Sequence, residues 1–153
     1  MFFLGYGEYL NGNKFKRYCP SATPLGVAEL RSFKLAFCGN EPVAIKAEET
    51  ESIHVRIYEV NDLETASLIS HFTAFPKCFD SIDVAVEFNE EVITALLFVA
   101  DKDKDSFRLP GGAYLDRLTR IYIQNNVGIL ELFQALETTR KLINGKNVYY
   151  WFY

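Results

Sequence analysis

Three cysteines in 153 residues leave this chain with almost nothing to staple it. Cys19, Cys38 and Cys78 form no C-x-x-C pair, and their odd number at scattered spacing points to reduced thiols in a reducing compartment. Positive charge is also scarce: 16 Lys and Arg against 20 Asp and Glu give a net charge of −4. Binding to nucleic acid through its phosphates is excluded on that ground. No apolar run approaches the length of a membrane span. The apolar start at Met1–Gly5 is interrupted by Glu8 before the core of a signal peptide could form. Histidine occurs twice, as His54 and His71, and no His, Cys or Asp spacing matches a zinc or calcium site. Gly5-x-Gly7 lacks the third glycine of a dinucleotide fingerprint. There is no internal repeat and no low-complexity segment. The expectation is a soluble, mildly acidic, cytoplasmic protein with no metal, no cofactor, no nucleic acid and no membrane partner.

Aromatic side chains are what the sequence has in excess: 13 Phe, 9 Tyr and 1 Trp, or 15% of the chain. With 49% hydrophobic and 24% charged residues, the composition is otherwise that of a globular domain. The length suits a single domain over residues 1–153. The surplus rings could fill a core, line a pocket or form a partner surface.

The hydrophobic pattern divides the chain. Phe2–Tyr6 reads as a buried strand running into a turn at Gly7, and Asn11-Gly12-Asn13 and Cys19–Pro24 read as loop. Val27–Leu30, Phe33–Cys38 and Val43–Ile45 read as further strands. Ile53–Val60 alternates apolar and polar residues, the mark of a half-buried strand. Asp62 can cap a helix with the stripe Leu63, Ala66, Leu68, Ile69 and Phe72, ending before Phe75-Pro76. Phe79–Phe88 and Val92–Val99 flank Asn89-Glu90 as a hairpin. Helices are expected over Ala113–Gln124 and over Val127–Ile143, the second with Leu130, Phe133, Leu136 and Leu142 near one face and Asn144-Gly145 as its stop. The aromatic tail within 144–153 reads as strand-like. It could add to the sheet, form a homodimer or other protein contact, or stack on a planar ligand. Strands first and helices late give an α+β domain with a mixed or barrel-like sheet.

Several segments, in order, resemble the gamma-glutamylcyclotransferase-like family. Phe3-Leu4-Gly5-Tyr6-Gly7-Glu8-Tyr9-Leu10 is similar to its Tyr-Gly-Ser-Asn-Leu loop. Cys19–Ala22 with Gly26–Phe37 resembles its second and third strands, and Val55–Val60 its next strand. Phe72-Thr73-Ala74-Phe75-Pro76-Lys77-Cys78-Phe79 matches its helix-end segment. Pro110-Gly111-Gly112-Ala113-Tyr114-Leu115 resembles its late Pro-Ser-x-x-Tyr-Leu helix. The resemblance spans roughly residues 2 to 135. It implies a small mixed β-barrel with flanking helices. In active members the α-amine of a γ-glutamyl compound attacks its own γ-carbonyl and releases 5-oxoproline. There the enzyme fixes geometry, a Glu moves the proton and loop amides hold the substrate carboxylate.

The chain departs from that machinery at named positions. Tyr6, Gly7 and Leu10 match the loop, but Glu8 stands where the family has Ser, and Tyr9 where it has Asn. Thr73 occupies the place of the catalytic Glu, and a Thr hydroxyl without an activator is far too weak a base. Phe79-Asp80-Ser81 replaces Tyr-x-Arg, and Val55 replaces a strand Gly. The expectation is therefore a pseudoenzyme that binds a small amino-acid-derived or nucleotide-like ligand through Tyr6, Gly7, Glu8, Tyr9, Leu10, Thr73, Phe79 and Tyr114. Glu8 could face solvent, meet a ligand, or serve as a relocated acid/base in an active enzyme. A Cys–His pair from His71 and Cys78 is conceivable.

Overall fold

Alternating side chains put the odd and even positions of a strand on opposite faces of a sheet, and both faces of this sheet are covered. The structure, a computed structural model, describes residues 1–74, 77, 79–103 and 106–151, the last six of these by backbone alone. Its strands are Phe2–Gly5 (β1), Thr23–Arg31 (β2), Phe33–Phe37 (β3), Pro42–Lys46 (β4), Ser52–Glu59 (β5), Asp80–Phe88 (β6) and Glu91–Val99 (β7). Its helices are Gly12–Phe15 (α1), Asp62–Thr73 (α2), Gly112–Gln124 (α3) and Leu130–Trp151 (α4), with a 3₁₀ turn at Gly7–Leu10.

The seven strands form one mixed sheet in the order β2-β5-β1-β7-β4-β3, with β6 also paired to β7. Strand β7 runs parallel to β1 through Ala95 and Leu96 and parallel to β4 through Val99, and antiparallel to β6 along its whole length. The sheet curls until Gly26 of β2 meets the Phe88 ring of β6. No ladder joins those two strands among the described residues, so the barrel is not closed.

Leu4, Leu35, Phe37, Ile53, Val55, Ile57 and Leu97 point into the curl and pack on Tyr114, Leu118, Ile121 and Tyr122 of α3 and Leu132 of α4. Their strand neighbours point the other way. Phe3, Val43, Ile45, Tyr58, Leu96 and Phe98 meet Phe15 of α1 and Leu68 and Phe72 of α2. Burial on both faces explains why β1, β4 and the end of β7 read as continuous apolar runs. The second core takes much of the aromatic surplus. Phe3 stacks on Phe15 with centroids 4.9 Å apart, and Phe72 on Phe98 at 4.6 Å.

Several expectations change. Asn11-Gly12-Asn13 is not loop, because Asn11 caps α1 by accepting from the Asn13 N–H at 3.0 Å, and Thr23 and Pro24 already belong to β2. The final helix does not stop at Asn144-Gly145; its backbone continues through Trp151, so the tail up to Trp151 is helix rather than strand. The tail's side chains lie outside the described residues, as does Cys78 of the suggested Cys–His pair. The buried face of α4 is Glu131, Leu132, Ala135 and Thr139, whereas Phe133 is 58% exposed. Leu63, expected in the stripe of α2, is exposed too. No helix among the described residues is long and apolar enough to cross a membrane.

The β6–β7 hairpin turns on Asn89 and Glu90 with φ of 50° and 65°. Two successive positive φ values are those of a type I′ turn, which favours Gly at its second position. Glu90→Gly is expected to stabilise the domain by about 0.5–1 kcal/mol, because an L side chain is disfavoured there. A urea midpoint that rises with an unchanged slope would show it, and a lowered midpoint would refute it.

Candidate functional site

The loop after β1 is tied down residue by residue. The Tyr6 hydroxyl donates to the Phe98 carbonyl of β7 at 2.6 Å and faces the Ala44 backbone of β4. The Gly7 backbone faces the buried Tyr122 phenol of α3. Glu8 Oε2 is 3.1 Å from Lys14 Nζ and accepts from the Tyr114 hydroxyl at 3.5 Å. The Tyr9 carbonyl accepts from Tyr58 at 2.5 Å, and that of Leu10 from Arg56 Nε at 2.7 Å. Arg56 also donates to Asn125 Oδ1 at 2.6 Å, linking the loop to the end of α3. Gly7 is required here. Its φ is +61°, and an added Cβ would lie 2.8 Å from Pro42 Cγ.

Beneath this loop lies a cavity lined by Phe3, Leu4, Tyr6, Glu8, Tyr9, Glu41, Pro42, Phe72, Phe79 and Phe98. Its walls are mostly rings, and its ionisable carboxylates are Glu8 and Glu41. Each faces a lysine: Glu8 meets Lys14 at 3.1 Å, and Glu41 Oε1 meets Lys77 Nζ at 2.9 Å. The free volume is about 20 Å³, room for roughly one water molecule. A shallower cleft of about 130 Å³ adjoins it across Glu8 and Tyr9, bounded by Lys14, Arg17 and Tyr18. Larger grooves of about 370 and 590 Å³ lie elsewhere and are lined largely by charged and polar surface side chains.

The phenols around this site are held neutral. Desolvation by burial raises Tyr6, and the Glu41 charge adds to it. Burial likewise raises Tyr9 and Tyr114, with Glu8 and Glu41 adding to both. These hydroxyls therefore act as hydrogen-bond donors rather than as bases. Burial also pushes the Cys19 thiol up to about 11, which leaves it an unreactive core group.

The structure brings Tyr6, Glu8, Tyr9 and Phe79 to the cavity wall. Tyr114 is buried behind Glu8, and Gly7 contributes its backbone. Leu10 is fully buried in the inner core rather than on the wall. Thr73 is exposed at the end of α2, and its hydroxyl donates back to the Ile69 carbonyl at 2.5 Å. His71 packs its ring on Tyr18 and Phe72. Sequence reasoning missed Phe3, Leu4, Glu41, Pro42, Phe72 and Phe98 as wall residues. The apolar ones were readable only as core. Glu41 sits in a Gly-Asn-Glu-Pro turn that gave no sign of facing inward. Among the described residues, no group of His, Cys, Asp and Glu side chains is placed to hold a metal ion.

None of the curated proteins matches this chain in sequence. Among solved structures, one titled gamma-glutamyl cyclotransferase superposes with a TM-score of 0.70 at 19% identity, over 93% of this chain and 85% of that one. An uncharacterized protein from Homo sapiens gives 0.69 at 20% identity, over 92% and 85%. An AIG2-like protein from Mus musculus gives 0.54 at 15% identity, over 70% and 84%. At these identities the superpositions establish the fold. The family model described as gamma-glutamyl cyclotransferase, AIG2-like, matches residues 3–116, from β1 through the loop, the cavity and the first turns of α3. The chain therefore belongs to the gamma-glutamyl cyclotransferase, AIG2-like family.

Proposed function

We propose that this protein uses the cavity under the Tyr6–Leu10 loop to hold a small ligand, amino-acid-derived or nucleotide-like, and does not carry out the family's ordinary cyclisation. One observation carries this reading: Thr73, where the resemblance places the catalytic Glu, is exposed and bonded back to its own helix. Cyclisation of a γ-glutamyl compound requires a base to take a proton from the α-ammonium before nitrogen can attack. A hydroxyl cannot do this near neutral pH without an activator. Of the wall carboxylates, Glu8 and Glu41 each face a lysine ammonium instead of open space.

A second reading has one observation in its favour. Glu8 is on the cavity wall with the Tyr114 hydroxyl 3.5 Å away, so it could act as acid/base on an altered γ-glutamyl substrate. Release of 5-oxoproline from γ-glutamyl dipeptides and from γ-glutamyl-lysine separates the two. The expected result is no turnover above background. Robust turnover that Glu8→Gln abolishes would overturn the binding reading and establish the second.

A further inference from the structure

The sheet has three edges, β2, β3 and β6, and they differ in how they are protected. Strand β3 is covered: its Phe37 N–H donates to Thr139 of α4 at 2.9 Å, and the Phe37 carbonyl accepts from the Arg108 N–H at 3.1 Å. Strand β2 is interrupted by Pro24 and by a shift of register before Gly26, two devices that keep an edge from pairing. Strand β6 has neither. It runs from Asp80 to Phe88 with no proline and no bulge, in register with β7 at every residue, and among the described residues no other strand is laddered to it. The two-residue turn at Asn89-Glu90 makes Phe88 and Glu91 a hydrogen-bonded pair. Counting back from it, Ser81, Asp83, Ala85 and Glu87 turn their N–H and C=O groups away from β7 to the open edge. The side chains of these four residues are exposed, while Ile82, Val84 and Val86 face the inner core.

We propose that the open edge of β6 is a docking site for an extended, basic peptide segment of a partner protein, which adds to the sheet as a further strand. The site shares no wall residue with the cavity under the Tyr6–Leu10 loop.

The backbone is the first argument. A long, regular edge with a row of unpaired amide groups is a template for another strand, and main-chain hydrogen bonds supply the affinity of such an addition. A groove of about 590 Å³ runs beside it, between Glu29–Ser32 on one side and the end of β6 with its turn on the other. Charge is the second argument, and it selects the occupant. From Lys77 to Lys102 the intervening chain has no Lys, Arg or His. The hairpin carries Asp80, Asp83, Glu87, Glu90 and Glu91, all exposed, and none is paired with a cation among the described residues. Across the groove Glu29 adds a fourth kind of acidic contact and Arg31 is the lone cation of its lining. Asp83 and Glu87 stand four apart on one face, so a paired strand places cations opposite them at its own positions i and i+4. Its positions i+1 and i+3 extend the apolar face of Val84 and Val86 and take Val or Ile. A second copy fits poorly. Pairing β6 with itself about Ala85 sets Asp83 against Glu87 twice, and like charges directly opposite destabilise a ladder.

Titration of the full chain with the peptide acetyl-Thr-Lys-Val-Thr-Val-Lys-Thr-amide, followed by amide NMR at low and at physiological ionic strength, tests this. The peptide is expected to shift the Ser81, Asp83, Ala85 and Glu87 amides and to bind more weakly as salt is added. An analogue with Glu in place of both Lys should bind roughly tenfold more weakly. An analogue N-methylated at both Lys and the central Thr keeps the charge but cannot form the ladder, and should lose a similar factor. On the protein side, Ala85→Pro removes one edge N–H while leaving the bonds to β7 in place, and should weaken the peptide about fivefold or more. Should that variant not fold, Asp83→Lys combined with Glu87→Lys replaces it and should reverse the preference toward the Glu analogue. Equal binding of the Glu analogue, or of the N-methylated one, would overturn the proposal. So would shifts confined to other elements, or no binding by any of the peptides. A concentration-dependent dimer that shifts the same four amides without peptide would also overturn it, by giving the edge to a second copy.

Discussion

Glu131→Ala is expected to destabilise the domain by about 3–5 kcal/mol, the range for removing one partner of a buried, hydrogen-bonded charge. The Glu131 carboxylate is 9% exposed and holds three groups together. Oε1 accepts the His54 backbone N–H at 2.8 Å and the His54 ring at 3.0 Å, which places the ring proton on Nδ1. Oε2 accepts the Tyr122 hydroxyl at 2.8 Å. Truncation leaves the phenol of a fully buried tyrosine and a strand N–H without their acceptor, at about 1–3 kcal/mol each. Glu131→Gln keeps an acceptor for His54 and offers Tyr122 an amide, so it should cost less than half as much. The effect should also reach the site, because the Tyr122 phenol faces the Gly7 backbone. Urea unfolding measures the loss, and the Gly7 amide should exchange faster in the Ala variant. A loss below about 1 kcal/mol would show that this carboxylate does not anchor α4 to β5.

Strand β5 was legible because its alternation carries its own register. Ile53, Val55 and Ile57 face inward, while His54 and Arg56 point away to bond α4, the loop and α3. The Asn89-Glu90 turn was legible because apolar alternation resumes on both sides of it. What escaped depends on contacts distant in sequence. Gly12-Asn13-Lys14-Phe15 has the composition of a loop, and it becomes one turn of helix because Phe15 is drawn between Phe3 and Tyr58. Gly145 reads as a stop, yet the helix passes through it. The stripe of α4 was half legible: Leu136 and Leu142 pack against the cores, whereas Leu130 and Phe133 are exposed while Leu132 and Ala135 are buried. Packing on β3 decides that phase, since Thr139 accepts the Phe37 N–H at 2.9 Å.

The site divides in the same way. Tyr6, Glu8, Tyr9 and Phe79 could be named because a motif with fixed spacing carries them to the cavity wall. Glu41 belongs to no motif, and it meets Lys77 of the helix-end segment because the turn before β4 and the residues after α2 converge. Nothing in the sequence singles out Glu131, and its three donors reveal it as a core residue. The aromatic surplus falls into two roles. Phe3, Phe72 and Phe98 belong to the outer core and also form the cavity wall, so packing and pocket share the same rings.

Those buried rings include tyrosines that set a limit at high pH, and the chain is expected to unfold cooperatively between about pH 11 and 13. Burial is the main cause that raises Tyr58, Tyr114 and Tyr122 above the ordinary phenol value of 10.0. For Tyr114 and Tyr122, neighbouring carboxylates, Glu8 and Glu131, add to the effect. Below pH 10 these phenols are neutral in both states, and their contribution to stability is fully present. Above it the unfolded chain loses its phenol protons while the folded chain retains them, so stability falls as pH rises. Each such group removes about 1.4 kcal/mol per pH unit, roughly 4 kcal/mol for the three together. At pH 12 the loss reaches about 8 kcal/mol, comparable to the whole stability of a typical domain. Far-ultraviolet circular dichroism and tyrosinate absorbance, followed along one base titration, should change together for these residues. Their ionisation below pH 11 with the circular dichroism intact would contradict the burial described here. The three phenols donate to Tyr9, Glu8 and Glu131, so ionisation of Tyr58 or Tyr114 breaks a tie to the loop and ionisation of Tyr122 breaks one to α4.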